Sequence, residues 1–345
     1  MPRAARASWH RFSPVQAAIV GVAGPALGRE EAALLRAEAP AGAILFARNI
    51  EDPEQLARLV GALREALPLH ACLLVDQEGG RVARLRPPHW PARPPAAALG
   101  VVHKRDASAG LRASWLAGAL VGLDCAGAGF DVTCAPVLDL AVPGATGAIG
   151  DRAFAAEPDR VAALGGAFAA GLLAAGVQPV AKHAPGHGRA MVDSHEALPH
   201  VGCDSSLDAD MIPFAANAGL PWMMTAHVLY EALDPGRPAT VSPRVIGGVI
   251  RGRLGFSGVL VSDDLAMGAL SGAAGERAAA AVAAGCDLAL HCSGRFADSD
   301  SVLAAVPECS AVTLERLAAA RTLAQASRQD LDRPALEAEL AGLLR

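Results

Sequence analysis

One stretch of the chain, Lys182 to Pro199, concentrates side chains that transfer protons or bind oxygen-rich groups. It reads KHAPGHGRAMVDSHEALP, and three histidines, one lysine and one aspartate fall within its first fourteen residues. The apolar run VQPVA precedes it and predicts a strand, whereas the following glycines and proline interrupt regular structure. The second half, with Asp193 and His195, is therefore expected on a mobile loop that follows the strand end. Catalytic groups often lie on such loops.

Asp193 and His195 have the spacing of a carboxylate that orients an imidazole. They lie two positions apart, so the carboxylate can also stabilise the charged imidazole. A histidine titrates near neutral pH, with an ordinary pKa of about 6.5, and it can give a proton to a leaving oxygen and later take one from water. The alternative is that the two residues only tether a surface loop.

Eight short apolar runs must position this segment, and they alternate with alanine-rich stretches of helical periodicity. The runs lie at 17–24, 42–48, 71–77, 129–139, 177–183, 222–228, 258–264 and 286–292. This order predicts an α/β fold, a (β/α)8 TIM barrel in a single domain over residues 1–345, with a helical tail at 313–345 packed outside. The alternative is an open doubly wound sheet, but the turn VGVAGPALG lacks the acidic partner of a dinucleotide site.

Polar residues at the ends of the predicted strands indicate where a site would form, because all strands of a barrel point their carboxyl ends towards one mouth. Five residues occupy such ends: Asp76, Glu78, His183, His227 and Asp263. A single carboxylate there can simply cap the next loop. Five together favour a shared polar site.

Two adjacent carboxylates, Asp263 and Asp264, follow the apolar run GVLVS directly. Successive side chains of a strand point to opposite faces. One of the two is therefore expected to face the barrel mouth and the other to point towards the helices, so the pair need not share one role.

Composition narrows the range of partners. The chain has 345 residues, 52% of them hydrophobic, with a net charge of -5 and no block of lysines and arginines, so a nucleic-acid partner is not expected. No apolar run approaches the roughly 18 residues of a membrane span.

The cysteines and the N-terminus indicate the compartment. Seven dispersed cysteines favour a reducing compartment, and the run after Arg3, Arg6 and Arg11 is better explained as a first strand than as a signal peptide. A cytoplasmic protein acting on a small molecule is expected.

The segment at 182–199 closely resembles the KHFPGHG...DSH signature of family 3 glycoside hydrolases, and specifically the single-domain bacterial β-N-acetylglucosaminidases of peptidoglycan recycling. The similarity extends through VDQEGGRVARL, IGDRAF, CAPVLDL, MTAHVLY, PATVSPRVI and SDDLAM, to about residue 295. Two positions depart from the pattern. Ala184 replaces the usual Phe, and Arg189 replaces the usual Asp of GHGDT; Arg189 is expected to lower the pKa of His195 if the two side chains come close.

The resemblance implies roles for individual residues. It assigns Asp263 as the catalytic nucleophile and His195, oriented by Asp193, as the general acid/base, and it leaves Asp264 a structural role. It also implies that five residues bind the sugar: Asp76, Arg84, Arg152, Lys182 and His183. Carboxylates accept hydrogen bonds from hydroxyl groups and cationic side chains donate them, so these residue types suit a carbohydrate.

The implied activity is that of an exo-acting, retaining β-N-acetylhexosaminidase that needs neither a cofactor nor a metal. Its implied substrate is N-acetylglucosaminyl-1,6-anhydro-N-acetylmuramic acid, with or without peptide. Three alternatives remain at this point. They are a related family 3 β-glycosidase or a phosphorylase using the same residues, a metal-dependent barrel hydrolase with ligands such as His227 and Asp263, and a non-catalytic sugar-binding protein.

Overall fold

A computed structural model describes residues 14–145, 147–203 and 207–345. The three N-terminal arginines considered above lie outside these ranges. The described chain contains ten strands in chain order: β1 Gln16–Gly21, β2 Pro40–Leu45, β3 Cys72–Val75, β4 Val132–Thr133, β5 Gln178–Ala184, β6 His200–Val201, β7 Trp222–Thr225, β8 Leu229–Tyr230, β9 Val259–Val261 and β10 Ala289–His291.

Eight of these strands form a parallel barrel in the order β10-β1-β2-β3-β4-β5-β7-β9. A parallel bridge between Val261 and Leu288 joins the two ends of that order. The predicted (β/α)8 barrel is confirmed, and each barrel strand overlaps one of the eight apolar runs. The two remaining short strands, β6 and β8, pair with each other in parallel beyond the carboxyl ends of β5 and β7.

The fourth strand is much shorter than the run 129–139 from which it was predicted. Only Val132 and Thr133 form a regular ladder with β5. Pro136 lacks the amide hydrogen that a regular ladder requires, but its carbonyl accepts from the Lys182 amide at 3.1 Å. Just past it, Val137 bridges Lys182 and the Leu138 amide donates to the Lys182 carbonyl at 2.7 Å. The extended chain thereby still reaches the mouth of the barrel.

The helices alternate with the strands and surround them. The α-helices are α1 Arg29–Glu38, α2 Pro53–Ala66, α3 Ala96–Arg105, α4 Ala107–Gly127, α5 Pro158–Ala174, α6 Leu207–Ala216, α7 Ala274–Ala284, α8 Phe296–Ala305, α9 Ala311–Ser327 and α10 Arg333–Leu343, with a π-helix at Arg244–Arg253. None of the helices in the described ranges is both long enough and apolar enough to cross a membrane.

Local sequence explains where several helices begin and end. The Asp52 carboxylate accepts a hydrogen bond from the Gln55 amide at 2.7 Å, and Pro53 occupies the first helical position of α2, as is common at helix starts. Gly285 ends α7 with a φ of 116°, a left-handed conformation that glycine adopts without steric cost. These signals fix where the two helices begin and end.

The apolar residues form two layers. One layer fills the barrel interior, with side chains such as Ile19, Leu74 and Trp222, and the other lies between the strands and the helices. Helices α4 and α5 approach closely, because a Cβ added at Gly118 would lie 2.0 Å from the Phe168 carbonyl oxygen. Close packing of this kind makes the barrel a rigid support for the loops at its mouth.

The C-terminal tail forms two helices, α9 and α10. A buried ionic cluster fastens the second of them to α4: Asp124 accepts hydrogen bonds from Arg93 at 2.7 and 3.0 Å and from Arg333 at 2.6 Å. Removing one partner of a buried, hydrogen-bonded ion pair is costly. The tail is thus attached to the outside of the barrel.

Candidate active site

A cavity of about 200 Å³ lies at the carboxyl ends of the barrel strands. Its wall includes all eight residues for which a catalytic or binding role was predicted: Asp76, Arg84, Arg152, Lys182, His183, Asp193, His195 and Asp263. They come from four separate loops or strand ends, and only the barrel brings them together.

Asp263 follows β9 and is half-buried in the cavity wall. Burial favours the neutral carboxyl group, but the neighbouring side chains of His183 and His227 oppose it and hold the pKa of Asp263 below its usual value. The Asp264 amide also donates a hydrogen bond to Asp263 Oδ1 at 2.8 Å. The Asp263 carboxylate is therefore ionised at neutral pH, as a nucleophile must be.

One carboxylate oxygen of Asp264 and its carbonyl oxygen are occupied by hydrogen bonds from the protein. Its Oδ1 accepts from the amides of Ala266 at 2.8 Å and Cys292 at 2.9 Å, and its carbonyl accepts from His227 Nε2 at 2.9 Å. Asp264 also touches the cavity, so the expected separation of the two carboxylates onto opposite faces is incomplete. Its contacts are those of a residue that joins the ends of β9 and β10.

Acidic and basic groups alternate along one side of the cavity. Lys182 Nζ lies 3.1 Å from Asp76 Oδ1 and 2.6 Å from Glu78 Oε1. Arg84 pairs with Asp76 at 3.2 Å, and Arg152 donates two bonds of 2.8 Å to Glu78. Such charge-assisted bonds fix the orientation of each side chain before any ligand arrives.

Mutual pairing keeps these groups charged although they are buried. Burial disfavours the charge on Lys182, but Asp76 and Glu78 outweigh it and raise the pKa of the lysine. Burial likewise opposes ionisation of Glu78, yet Lys182 and Arg152 lower its pKa to about 2. These paired side chains therefore form a fixed array of charges that offers hydrogen-bond donors and acceptors to a polar ligand.

His183 is oriented by a carboxylate that the sequence left without a role. Asp139 is fully buried, and its Oδ2 lies 2.7 Å from His183 Nδ1; its Oδ1 also accepts from the His187 amide at 2.6 Å. Burial opposes ionisation of Asp139, but the two histidines lower its pKa. Asp139 is the last residue of the predicted run 129–139, and that position, together with the similarity of CAPVLDL to the family, was its only sequence signal.

Asp193 and His195 form the predicted pair. His195 Nδ1 lies 2.7 Å from Asp193 Oδ1, and the His195 amide donates to the same oxygen at 2.9 Å. Burial opposes ionisation of Asp193, whereas the two hydrogen bonds from His195 lower its pKa. The His195 side chain is 68% exposed, so its Nε2 is open to a ligand entering the cavity and to water.

Arg189 pairs with a carboxylate that the sequence did not indicate. Its Nε is hydrogen-bonded to Asp210 Oδ2, in a carboxylate that is almost fully buried in α6. Burial raises the pKa of Asp210 and the arginine opposes this rise. The arginine therefore anchors the start of the loop that carries Asp193 and His195.

A closed parallel barrel holds an ionised carboxylate, an exposed imidazole and an array of paired charges around one small cavity, which is the arrangement expected of a hydrolase of small polar substrates. In the described ranges, no group of three or more His, Cys, Asp or Glu side chains is arranged to hold a metal ion. The residues predicted to act as nucleophile, acid/base and binding groups all line this one cavity.

Comparison with known proteins identifies the family. The model of the glycosyl hydrolase family 3 N terminal domain matches residues 15–324. A beta-hexosaminidase from Alkalilimnicola ehrlichii is 43% identical over 280 residues, which cover 79% of this chain and 80% of that protein. A beta-hexosaminidase from Pseudomonas aeruginosa is 39% identical over 304 residues, covering 87% and 89%.

Solved structures resemble this chain over most of its length. NagZ from Neisseria gonorrhoeae, in complex with N-trifluoroacetyl-D-glucosamine, is 32% identical, with a TM-score of 0.85 over 96% of this chain and 99% of that one. A family 3 β-N-acetylglucosaminidase from Paenibacillus is 32% identical, with a TM-score of 0.79 over 92% of this chain and 62% of the longer one. The chain thus belongs to glycoside hydrolase family 3 and is a β-N-acetylhexosaminidase.

Proposed function

We propose that this enzyme removes a terminal N-acetylglucosamine from peptidoglycan fragments in which the sugar is linked to 1,6-anhydro-N-acetylmuramic acid, with or without peptide. The size of the cavity supports an exo-acting enzyme, since about 200 Å³ is smaller than the roughly 300 Å³ of the smallest drug-sized sites and suits a single sugar ring. The N-acylglucosamine bound by the Neisseria protein supports the choice of sugar.

One observation carries the mechanism: Asp263 and the Asp193–His195 pair line the same cavity. In the first step, the Asp263 carboxylate attacks C1 of the sugar while His195 donates its Nε2 proton to the departing glycosidic oxygen. The C1–oxygen bond breaks, the aglycone leaves as an alcohol, and a glycosyl ester of Asp263 remains. Two displacements at C1 retain the β configuration.

In the second step, His195 Nε2 takes a proton from water as the water oxygen attacks C1, and the ester bond to Asp263 breaks. Asp193 keeps one tautomer in place, because Nδ1 faces its carboxylate at 2.7 Å and only Nε2 can then exchange the proton with the substrate. The exposed position of His195 suits a group that meets the leaving group and water at the cavity rim.

The paired charges bind the sugar in this proposal. Asp76 accepts hydrogen bonds from sugar hydroxyl groups, and Arg84, Arg152 and Lys182 donate them. His183, whose Nδ1 is taken by Asp139, offers Nε2 to the substrate. Because these groups are already held by one another, little side-chain entropy is lost when the sugar binds.

The reaction is proposed to take place in the cytoplasm, and the whole chain from 1 to 345 to act as one catalytic domain. All seven cysteines are unpaired, and thiols stay reduced in that compartment. A buried thiol such as Cys125, whose pKa burial raises, packs as a small apolar group.

Turnover of aryl β-glycosides tests sugar and reaction together. We expect release of the aryl alcohol from the N-acetylglucosaminide and far slower release from the matched glucoside. His195→Ala should lower kcat/KM by about 10²- to 10⁴-fold on an alkyl N-acetylglucosaminide, the range that general acid catalysis supplies. The loss should be much smaller on the dinitrophenyl glycoside, whose leaving group departs without a proton. Equal losses on both substrates would contradict the assignment of His195.

A further inference from the structure

The loop between β9 and α7 contacts the segment that carries His195. Residues 265–272 of this loop, here called the bracing loop, lie between the candidate nucleophile and helix α7. Leu265 and Met267 are buried, and Met267 forms part of the cavity wall. The loop thus reaches the site through Met267, although none of its side chains has a role in the proposed reaction.

Arg277, in the first turn and a half of α7, holds the bracing loop at both ends. Its Nη1 donates to the carbonyl oxygens of Leu265 at 2.8 Å and Met267 at 3.1 Å, and its Nε donates to that of Gly272 at 2.9 Å. A planar guanidinium can serve three acceptors in fixed directions at once, which a lysine cannot. All three acceptors are backbone oxygens, so the arginine sets the course of the main chain.

The middle of the bracing loop donates to the backbone of the His195 segment. The Gly268 amide lies 3.3 Å from the His195 carbonyl oxygen, and the Ala269 amide lies 3.2 Å from that of Ser194. A Cβ at Gly268 would lie 2.9 Å from the His195 oxygen and 2.8 Å from the Glu196 oxygen. Glycine is therefore required for the two chains to approach this closely.

We propose that Arg277 and Gly268 are positioning residues for proton transfer, and that the bracing loop holds His195 where its imidazole meets the leaving oxygen. The inference rests on the proposed role of His195. Two contacts orient the His195 imidazole. Asp193 fixes the imidazole ring, and the bracing loop fixes the backbone of His195. A small displacement of that backbone lowers the rate of proton transfer without changing the nucleophile or the sugar site.

The test compares kcat/KM of Arg277→Ala and Gly268→Ala on the methyl and the dinitrophenyl β-glycosides of N-acetylglucosamine. We expect each variant to lose about tenfold on the methyl glycoside, part of what general acid catalysis supplies, and less than about twofold on the dinitrophenyl one. Arg277→Lys should fall between Arg277→Ala and the parent, because an ammonium group can still reach part of the loop. Gly61→Ala is the matched control, since nothing lies within 4 Å of a Cβ there.

A double-mutant cycle separates positioning from mere stabilisation of the fold. In a His195→Ala background, Arg277→Ala should cause no further loss on the methyl glycoside, because the group that it positions is gone. Equal losses on both glycosides, or an undiminished effect of Arg277→Ala in that background, would overturn the inference about the bracing loop alone. If His195→Ala itself failed to discriminate between the glycosides, the assignment of His195 and this inference would fall together.

Discussion

The side chains around the cavity differ in exposure, and the difference matches their proposed roles. Lys182 is only 3% exposed and sits between two carboxylates, whereas His195 is largely exposed and paired with one. A buried group surrounded by opposite charges keeps its charge over a wide pH range. An exposed imidazole can instead meet both the leaving group and water.

The buried charges predict a specific dependence of stability on pH. The pKa of Glu78 falls from its ordinary 4.5 to about 2 in the folded state, so this carboxylate stabilises the fold above about pH 4.5 and ceases to do so as the pH falls towards 2. With about 1.4 kcal/mol per pKa unit, the contribution is about 3 kcal/mol. Urea unfolding from pH 6 to pH 2.5 should show a loss of this order, which Glu78→Gln should reduce. If the free energy of unfolding of Glu78→Gln fell with pH as steeply as that of the parent, Glu78 would not be the source of this pH dependence.

Asp139 offers a second test at the level of one residue. Asp139→Asn replaces an acceptor of hydrogen bonds from His183 and His187 by a group that also carries donors. A buried polar group left without its partner costs about 1–3 kcal/mol, so we expect a loss of stability of this size and a fall in kcat/KM that is similar for all leaving groups. Asp151→Asn, which changes an exposed carboxylate, is the control. A fall limited to poor leaving groups would place Asp139 in proton transfer.

Among the elements, regular periodicity was predictable and irregular connections were not. Helix α2 begins at Pro53 and α5 at Pro158, as their proline and acidic signals indicate. The link between Asp139 and His183 joins residues 44 positions apart and depends on the register of β4 against β5. No local pattern encodes such a register, which is why Asp139 had no predicted role.

The partner of Arg189 was missed for the same reason. The arginine was noticed only as a departure near His195, but its carboxylate partner is on α6, 21 positions further along the chain. The direction of a loop relative to a helix follows from packing of the whole barrel. Sequence spacing alone could place the arginine near Asp193 but could not reveal that it points to Asp210.

The contact between α4 and α5 gives a prediction about elements. Gly118→Ala would introduce a Cβ 2.0 Å from the Phe168 carbonyl oxygen, and overpacking of this kind costs about 1–3 kcal/mol. Gly61→Ala in α2, where the added Cβ meets no atom within 4 Å, should be neutral or stabilising because alanine favours helix. The midpoints of urea unfolding of the two variants, compared with that of the parent, measure both effects on stability. An equal effect of the two substitutions would show that the close approach is not a constraint.

At the scale of the whole molecule, the barrel explains how residues from 76 to 263 meet in one cavity. The alternation of runs was sufficient to predict the topology, and parallel strands then bring their carboxyl ends together. Every proposed catalytic and binding group comes from one chain. Specific activity should therefore not change on dilution, and a fall in activity at low protein concentration would show that a partner subunit completes the site.

The remaining alternatives differ in what they require from solution. The proposed mechanism uses water and protein side chains, so activity should survive prolonged dialysis against a chelator and should not require phosphate. Loss of activity on chelation with recovery on return of a metal would support a metal-dependent hydrolase. Strict dependence on phosphate would support a phosphorylase.

The central claim is that the sugar is transferred to Asp263, and trapping the glycosyl ester tests it most directly. A 5-fluoro derivative of N-acetylglucosamine with a good leaving group should accumulate the ester, because fluorine slows both steps while the leaving group keeps the first one faster. After proteolysis, mass spectrometry should locate the sugar on Asp263, and Asp263→Ala should bind the reagent without being labelled. A label on Asp264, or on any residue outside the β9 strand end, would contradict the account.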